Sequence, residues 1–534
     1  MWRDPTRMAT ELHDVIVVGG GIHGACAAWE AARRGLKVAL IEAGDFGQGT
    51  SSNSLRTLHG GLRHLQRMDF ARMRESIRAR REWLRLAPHL TRPMRFLLPT
   101  SGHGVRGPGV MRAALWINDL VGADRNSGVR EDRHLQRGSV LGPGELQSAC
   151  PGLPVTGCNG TAVWYDAVCL NTERLQLAVV RAATACGAQV ANYVRALRPT
   201  VVEGAICGVR ARDELTGCEL DLRASVVINA AGPWVDEWLT GACDRNPTRA
   251  FRASKAFNLL TRPLPFRDAL GLSVAARSGT TGGRANTYFI IPWNGFSLVG
   301  TRHLRCDHAA HSARVSRDEV LEFVADLNTV LGGHRLSGSD VYHVYAGLLP
   351  EAARAPGPDV ALQRAPHVID HTEDGMRGLL SIVGVKWTTA CAVGARTAVL
   401  ACQLLRKPEQ PTRKRILEEG DSPIIPLLRE DPTFMARVVP DMPVLMGQVV
   451  YAVRDEMAVH LRDVVMRRLP LYLSNELDHA ALLACARAMA RELRWSQREM
   501  VTEVEEVAAE LAAIQEPWVR AGSVLDPHLI ANES

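Results

Sequence analysis

Three glycines and one acidic residue near the start of the chain have the spacing of a phosphate-binding turn. Gly19, Gly21 and Gly24 lie in the Gly-Gly-Gly-Ile-His-Gly run at 19–24, directly after a β-branched run. In such a turn Gly19 allows the tight bend, Gly21 lets a pyrophosphate approach the backbone, and Gly24 allows a helix to pack closely on a strand. Glu42 follows the next apolar run, where a carboxylate accepts the hydroxyls of an adenosine ribose and would repel a 2′-phosphate. The pattern therefore predicts FAD or NAD as ligand rather than NADP.

A hydroxyl-rich loop after Glu42 offers a second contact for the same phosphates. Thr50, Ser51 and Ser52 lie in the Gly-Thr-Ser-Ser run at 49–52. Their short side chains donate readily to phosphate oxygens. We therefore expect this loop to lie beside the dinucleotide.

A complete βαβ unit is predicted to position these residues. The strand at 14–18 leads into the glycines, a helix follows at 25–34, and a second strand at 38–41 ends before Glu42. Backbone amides at the N-terminus of that helix would bind the phosphates.

The rest of the chain is predicted to contain further strands and helices. Four segments have clear patterns, namely helices at 72–85 and 171–186, a strand at 226–231 that runs into Gly232, and a hairpin at 285–300 that turns at Asn294-Gly295. Residues 95–161 have poor periodicity and many Gly and Pro, which indicates loops with short helices around 110–121. Helical spacing dominates from 446 to 514 and predicts a separate helical domain.

Composition argues against several other classes of protein. With 46% hydrophobic and 22% charged residues, the 534-residue chain lies in the globular range. A formal charge of +6 is too small for a typical nucleic-acid-binding surface, so no nucleic-acid partner is expected. The twelve cysteines have no CxxC pair or zinc-type spacing, so no metal is expected. With no secretion signal and no apolar run of about 18 residues, we expect a cytoplasmic protein, soluble or bound to a membrane surface, with reduced thiols.

Seven further runs, taken with the glycine motif, resemble one enzyme family. They are Gly-Thr-Ser-Ser at 49–52, His-Gly-Gly-Leu-Arg at 59–63, Asn-Ala-Ala-Gly-Pro-Trp at 229–234, Ile-Pro-Trp at 291–293, Gly-Thr at 300–301, Lys-Trp-Thr-Thr at 386–389 and Tyr-Ala-Val-Arg-Asp-Glu-Met at 451–457. In this order, over about residues 13–515, the chain resembles the FAD-dependent glycerol-3-phosphate dehydrogenases. The resemblance implies a flavoprotein that removes hydride from the secondary alcohol of sn-glycerol 3-phosphate and forms dihydroxyacetone phosphate. Electrons would pass to a quinone or to dioxygen, at the cytoplasmic membrane face and without a membrane span.

The resemblance also divides the chain into regions. It implies an FAD-dependent oxidoreductase region at 13–405 and a C-terminal helical domain at 406–534. Within the first region, FAD-binding segments are expected at about 13–90, 162–250 and 340–405, and substrate segments at about 91–161 and 251–339. The expected fold class is α/β (α+β), with a Rossmann-like FAD-binding domain, a mixed-sheet substrate domain and the C-terminal helical domain.

Each role in the reaction falls to residues in the matching motifs. His59 is expected near the flavin as a base for the hydroxyl proton, and Lys386 as a cation beside flavin N1 that also polarises the substrate oxygen. Without the resemblance, His59 would more simply be a histidine that hydrogen-bonds its own loop. The expected substrate contacts are Arg63, Arg364 and Thr388, with the arginines at the phosphate. The expected FAD contacts are Gly19, Gly21, Gly24, Glu42, Thr50, Ser51, Ser52, Gly232, Gly384, Lys386 and Thr388.

Five positions depart from the family pattern. Leu349, in the Gly-Leu-Leu-Pro run at 347–350, replaces an arginine expected to contact the reacting hydroxyl. The other four are His64 for a tyrosine, Phe257 for a histidine, His303 for an aspartate and Val385 for a glycine. FAD binding should survive these changes, whereas the identity of the substrate is left open. The alternatives are a divergent paralogue that oxidises another phosphorylated alcohol or an amine, with Leu349 and Phe257 as a more apolar wall, and a catalytically silent flavin-binding scaffold.

Membrane attachment and assembly are also left open. The arginine runs at 72–85 and 462–468 could face anionic lipid on the inner face of the cell membrane, although such runs usually just contact water. The sequence does not fix the oligomeric state, a homodimer included.

Overall fold

The computed structural model describes residues 1–154, 156–240, 252–275, 286–306, 313–352, 360, 362–410, 416–417 and 424–515. The chain forms two compact units. The larger unit comprises Asp4–Ser337 and Val344–Glu418, and the smaller comprises Met1–Arg3, Gly338–His343 and Glu419–Ser534. Parts of the predicted FAD-binding, substrate and C-terminal segments, such as 241–250, 276–285 and 516–534, lie outside the described residues.

The described residues form strands and helices in a mixed order along the chain. The strands are β1 (Leu12–Val18), β2 (Val38–Ile41), β3 (Thr57–Leu58), β4 (Thr91–Ser101), β5 (Ser139–Leu141), β6 (Cys158–Cys169), β7 (Gln189–Ala191), β8 (Val194–Val202), β9 (Ala205–Asp213), β10 (Glu219–Asn229), β11 (Arg252–Thr261), β12 (Ala269–Val274), β13 (Asn286–Trp293), β14 (Phe296–Arg305), β15 (Val341–Glu351), β16 (His367–Asp370) and β17 (Leu379–Val383). The α-helices are α1 (Pro5–Thr10), α2 (Ile22–Ala32), α3 (Phe70–Leu86), α4 (Pro108–Val121), α5 (Pro143–Ala149), α6 (Thr172–Ala185), α7 (Val235–Thr240), α8 (Arg317–Asn328), α9 (Ala390–Leu404), α10 (Ile425–Glu430), α11 (Met446–Glu456), α12 (Leu461–Asp463), α13 (His479–Leu493) and α14 (Gln497–Gln515). Short 3₁₀ helices lie at Leu62–Arg67, Glu131–Arg133, Gly232–Trp234, Gly332–His334, Gly338–Asp340, Trp387–Thr389, Pro432–Met435 and Leu471–Leu473, and a π-helix at Val464–Arg468 continues α12.

The first sheet of the larger unit contains the predicted βαβ unit. Its strand order is β16-β17-β10-β1-β2-β7, and β9 extends it from β10 and pairs with β8. Strands β17, β10, β1, β2 and β7 run parallel. Residues Val15–Val18 of β1 and Val38–Ile41 of β2 are buried, as expected for parallel strands covered on both faces. The Rossmann-like part of the predicted fold class is confirmed.

The second sheet is mixed and has the order β15-β11-β14-β13-β12-β4-β6-β3, with β5 beside β6. The hairpin of β13 and β14 turns at Asn294-Gly295, as predicted, and α4 matches the helix expected around 110–121. The prediction of loops over 95–161 was wrong at both ends of that stretch, because β4 pairs with β6 along nearly its whole length, and it missed the short β5. Pro93 and Pro99 obscure the strand pattern in the sequence. They are tolerated because β4 pairs with β12 only at Phe96 and Leu97, between the two prolines.

The smaller unit is helical. Helices α11, α13 and α14 share one apolar core, which includes Val449, Leu482, Cys485, Met489 and Val504. The predicted C-terminal helical domain is confirmed. No helix in the described part of the chain is long and apolar enough to cross a bilayer.

Several arginines of the two runs are held within the protein. In α3, Arg80 is buried, and Arg74 and Arg81 both pair with Asp124. In the smaller unit, Arg467 and Arg468 are buried, and Arg467 bonds to Asp463. Buried arginines need partners within the protein, so these side chains are not available to lipid headgroups.

Candidate active site

Four predicted segments meet at one edge of the first sheet, because each follows a parallel strand. The glycine turn follows β1, Glu42 follows β2, the Gly232 turn follows β10, and Gly384 follows β17. These strands are neighbours in the order β17-β10-β1-β2. Ligands of open parallel sheets bind outside the carboxyl ends of the strands. The topology therefore brings together residues that are more than 300 positions apart.

In the glycine turn, Gly19 and Gly24 are needed for close backbone packing, and Gly21 leaves space beside the backbone. Gly19 has a φ of +101°, and a Cβ there would lie 2.5 Å from the Ala230 oxygen. A Cβ on Gly24 would lie 1.9 Å from the Gly19 oxygen, so α2 can approach β1 only with glycine at this position. A Cβ on Gly21 would meet only Ser51 Oγ, at 3.2 Å. The backbone at Gly21 is thus open to a phosphate at the N-terminus of α2.

Glu42 lies directly under this turn. Its carboxylate accepts hydrogen bonds from the amides of Gly20, at 2.6 Å, and Gly44, at 2.9 Å. Burial raises the pKa of Glu42, and the two amides oppose that rise. A carboxylate has about four acceptor positions, so two remain for the hydroxyls of a ribose.

The hydroxyl-rich loop contacts its own neighbours as well as the turn. Ser51 Oγ accepts from the amide of Ile22 at 2.9 Å and caps the start of α2. Thr50 donates to the Leu348 carbonyl at 3.2 Å, and Ser52 donates to the Gly47 carbonyl. Of the three hydroxyls, Ser51 therefore keeps its proton available for a phosphate oxygen, while Thr50 and Ser52 hold the loop in place.

A buried imidazole without a partner lies where the glycine turn meets the Gly384 loop. Nε2 of His23 is buried and has no hydrogen-bond partner in the described part of the chain. Burial lowers the pKa of His23 to about 4, so the ring is neutral. A Cβ on Gly384 would lie 2.3 Å from this ring, whereas one on Gly232 would meet no atom within 4 Å. The orphan nitrogen and the open backbone at Gly21 and Gly232 fit a dinucleotide along this edge.

The Lys-Trp-Thr-Thr turn is tied to the His59 loop. The amide of His59 donates to Thr388 Oγ1 at 3.2 Å, and Trp83 Nε1 of α3 donates to the Thr388 carbonyl at 2.9 Å. The rings of Trp83 and Trp387 are 4.8 Å apart. Thr388 is 2% exposed, so the structure places it as the link between the two loops. The ring of His59 makes no hydrogen bond to the described residues. The simpler alternative, in which this ring hydrogen-bonds its own loop, therefore does not hold.

Five basic side chains from three separate elements form a cluster beside these loops. They are His59, Arg63, His64, His303 and Lys386. Burial lowers the pKa of each imidazole to about 4 and that of Lys386 to about 8, and the charge of Arg63 adds to the effect at all four groups. At pH 7 the cluster therefore has two cations and three neutral rings.

Arg63 is the exposed member of the cluster. Its guanidinium forms no hydrogen bond or ion pair within the described ranges, so all five of its N–H donors are available to an anion. Arg364 is also exposed and lies in the loop before β16. No contact among the described residues joins Arg364 to the cluster, and its role stays a prediction.

Two of the departures from the family pattern lie in different surroundings. Leu349 is half-buried in β15, and its carbonyl accepts from Ser254 Oγ at 3.4 Å. Phe257 is 0% exposed and packs edge-on against Phe323 of α8 at 5.7 Å. The expectation that Phe257 forms part of a substrate wall was wrong, because its ring belongs to the core between β11 and α8.

A buried ion pair supports the His59 loop from behind and has no signal in the sequence. The Asp166 carboxylate pairs with Arg80, accepts from the amide of Gly60 at 2.6 Å, and accepts from Trp164 Nε1 at 3.0 Å. The side chains of Arg80 and Asp166 are only 3% and 5% exposed. Neither residue belongs to a recognisable motif. Arg80 lies in α3, and β6 brings Asp166 to Gly60 across 106 positions.

Replacing Asp166 with alanine should lower the free energy of unfolding by about 3–5 kcal/mol, because it leaves the Arg80 charge buried and unpaired. Asp124→Ala is the matched control, since it removes a carboxylate that pairs with two arginines but is 35% exposed. The control should cost less than about 1 kcal/mol. Urea denaturation followed by tryptophan fluorescence measures both values, and equal losses would contradict a special role for the buried pair.

Comparison with known proteins agrees with this geometry. The family model described as FAD dependent oxidoreductase matches residues 14–399, and the C-terminal domain of alpha-glycerophosphate oxidase matches 423–500. A glycerol-3-phosphate dehydrogenase of Mycobacterium leprae (strain TN) is 31% identical, over 96% of this chain and 91% of that protein. One from Synechocystis sp. (strain ATCC 27184 / PCC 6803 / Kazusa) is 29% identical, over 92% of this chain and 95% of that protein.

A solved structure has the same fold. The glycerol-3-phosphate dehydrogenase of Bacillus halodurans, crystallised with FAD, superimposes with a TM-score of 0.73 and 23% identity, over 97% of this chain and 98% of that one. The chain is an FAD-dependent oxidoreductase and belongs to the glycerol-3-phosphate dehydrogenase family.

Proposed function

We propose that the chain oxidises the secondary hydroxyl of sn-glycerol 3-phosphate to the ketone of dihydroxyacetone phosphate. The observation that supports this most is the cluster around Arg63. The guanidinium of Arg63 has no partner among the described residues, and Lys386 contacts an imidazole rather than a carboxylate. An excess of basic groups beside the flavin-binding edge suits a small substrate with a phosphate group.

Each basic group then has a distinct task. Arg63 presents a planar fork of donors to the phosphate. Lys386 is charged below a pKa of about 8 and can donate to the substrate oxygen, which holds that oxygen in place. His59 is neutral and can accept the hydroxyl proton, and a bound phosphate dianion raises its pKa by offsetting the charge of Arg63. FAD, when bound, supplies the hydride acceptor, and electrons then pass to a quinone or dioxygen.

The direct test is an anaerobic titration of the purified holoprotein. We expect sn-glycerol 3-phosphate to bleach the visible absorption of the oxidised flavin, and glycerol without phosphate to leave it unchanged. An unchanged spectrum with sn-glycerol 3-phosphate would overturn the proposal. Bleaching by another phosphorylated alcohol or an amine would then favour the divergent paralogue that Leu349 suggests, and no bleaching by any substrate would favour a silent scaffold.

We also propose that the larger unit binds a membrane surface through α4. Only Leu115 of this helix is buried, while Val110, Trp116 and Leu120 are 45%, 67% and 62% exposed. At about 100° per residue, these three side chains fall within an arc of about 120° on a face turned away from Leu115. An exposed apolar face with an outward tryptophan is typical of helices that lie in the headgroup region of a bilayer.

The charges around this face favour lipid over a second copy of the chain. Arg67, Arg106 and Arg112 are exposed and have no partner among the described residues. The nearby acids Asp119 and Asp124 already pair with arginines within the protein. A symmetric contact between two copies would bring like charges together, whereas anionic lipid would neutralise them.

Replacing Trp116 and Leu120 with serine should weaken binding to vesicles of anionic phospholipid by about tenfold or more, because two apolar side chains no longer enter the lipid. Co-sedimentation measures the bound fraction, with zwitterionic vesicles and high salt as further conditions. Val202→Ser/Leu215→Ser is the matched control, since both residues are exposed and lie away from α4, Val202 at the end of β8 and Leu215 in the turn between β9 and β10. Unchanged vesicle binding would contradict the proposal, and loss of a dimer in the Trp116/Leu120 variant would assign the face to a contact between copies.

A further inference from the structure

The ammonium of Lys386, which is half-buried, contacts an imidazole rather than a carboxylate. Its Nζ lies 2.8 Å from Nε2 of His64. Lys386 precedes the 3₁₀ helix Trp387–Thr389, and His64 lies in the 3₁₀ helix Leu62–Arg67, which begins after Gly61 at a φ of +81°. Among the described residues, the Lys386 side chain forms no other hydrogen bond. The two residues are 322 positions apart, and the two loops of the site bring them together.

The chemistry of the pair fixes which atom donates. A protonated lysine has three N–H donors and no acceptor, so Nε2 of His64 must be unprotonated and accept. Burial, followed by the charges of Lys386 and Arg63, lowers the pKa of His64 to about 4. The imidazole is therefore neutral across the range in which Lys386 titrates, and the contact persists through neutral pH.

The surrounding charges leave His64 as the direct acceptor. Asp69 and Glu75 raise the pKa of Lys386 without a hydrogen bond to it, and Asp69 is already paired with Arg72 at 3.3 Å. Arg63 and Arg72 lower it. The charged or titratable groups near the pair include Arg63, Asp69, Arg72 and Glu75, and His59 also interacts with Lys386.

We infer that His64 is a positioning residue, which accepts a hydrogen bond from the Lys386 ammonium and so fixes the place of this cation and keeps it charged at neutral pH. The inference rests on the proposed function, because Lys386 acts there on the bound substrate. A hydrogen bond to the charged form favours that form and opposes the effect of burial. This role belongs to the histidine in this chain, at a position where the resemblance leads one to expect a tyrosine.

Removing the acceptor should therefore lower the pKa of Lys386. Burial already brings that pKa down to about 8. His64→Phe removes the acceptor and adds an apolar ring, so we expect a further fall of about one pH unit, the size of one hydrogen bond to a charged group. His64→Gln keeps an oxygen acceptor that does not titrate, and it should restore most of the wild-type value.

The chain has only five lysines, which makes the measurement direct. They are Lys37, Lys255, Lys386, Lys407 and Lys414. Reductive methylation of the purified holoprotein with ¹³C-formaldehyde gives one set of methyl signals per lysine, and Lys386→Arg identifies the signal of interest. The NMR titration should give an apparent pKa of about 8 in the wild type, about one pH unit less in His64→Phe, and close to the wild-type value in His64→Gln. Lys407 is the internal control, since it pairs with Asp14 and should not change.

Two results would overturn the inference. One is a Lys386 signal that titrates alike in all three proteins, and the other is a wild-type value near the ordinary lysine pKa. A shift of the Lys407 signal in His64→Phe would show that this variant is misfolded. The comparison of His64→Gln with the wild type then remains as the test. The titration needs no substrate, so a protein that sn-glycerol 3-phosphate cannot reduce would overturn the proposed function and leave this test intact. A normal reduction with an unmoved titration would overturn only the role of His64.

Discussion

Replacing Arg63 with methionine should lower kcat/KM for sn-glycerol 3-phosphate by roughly 100- to 1,000-fold. The guanidinium has no partner within the described ranges, so its donors are free to form two charge-assisted hydrogen bonds to the phosphate. Each such bond contributes about 1.5–3 kcal/mol, and the lower end of that range applies because Arg63 is exposed, so two bonds contribute about 3–4 kcal/mol. Methionine keeps the volume of the side chain without the donors. Steady-state kinetics with an artificial electron acceptor measures the loss.

The controls separate phosphate binding from general damage. Arg67→Met removes another exposed arginine from the same 3₁₀ helix, one without a partner in the described part of the chain. It should change kcat/KM by less than about threefold, because an exposed charge acts weakly at longer range. Any slow oxidation of glycerol should be unaffected by Arg63→Met. Equal losses for the phosphorylated and unphosphorylated alcohols would contradict the assignment of Arg63 to the phosphate.

Replacing Gly24 with alanine should give protein that contains almost no FAD. The new Cβ would lie 1.9 Å from the Gly19 oxygen, so α2 must move away from β1 and the phosphate-binding turn cannot close. Gly21→Ala should fold normally, since its Cβ meets only Ser51 Oγ at 3.2 Å, but it narrows the approach to the backbone. A lost amide contact to a phosphate weakens binding by about 10- to 150-fold.

The flavin content per chain and the dissociation constant for FAD, measured by absorption and by flavin fluorescence, distinguish these outcomes. Gly144→Ala is the control, because a Cβ there meets no atom within 4 Å. If Gly24→Ala retained a full complement of FAD, close packing of α2 on β1 at Gly24 could not be required for FAD binding.

The sequence predicted the parts of the fold that depend on local pattern. The glycine run, the hairpin turn at Asn294-Gly295 and the helical spacing after 446 are local signals, and the structure contains each element where it was expected. The order of strands in the parallel sheet also explains why Glu42 and Gly384 meet the glycine turn, since both follow parallel strands.

Features that depend on tertiary contacts could not be predicted from the sequence. Asp166 supports Gly60 only because β6 passes behind the His59 loop. Phe257 looked like a site residue, yet its place in β11 turns it toward Phe323 in the core. The exposed face of α4 was also missed, because an apolar helical pattern does not say which side faces the protein. The sequence does place a histidine, His23, inside the glycine run. It could not predict that Nε2 of this histidine is buried without a hydrogen-bond partner among the described residues.

The most direct test of the account is an experimental structure of the holoprotein with sn-glycerol 3-phosphate or an unreactive analogue. We expect FAD along the carboxyl edge of the first sheet and the phosphate about 3 Å from the Arg63 guanidinium, with the carbinol oxygen between His59 and Lys386. A phosphate bound elsewhere, with Arg63 still facing water, would contradict the central claim that this basic cluster is the substrate site.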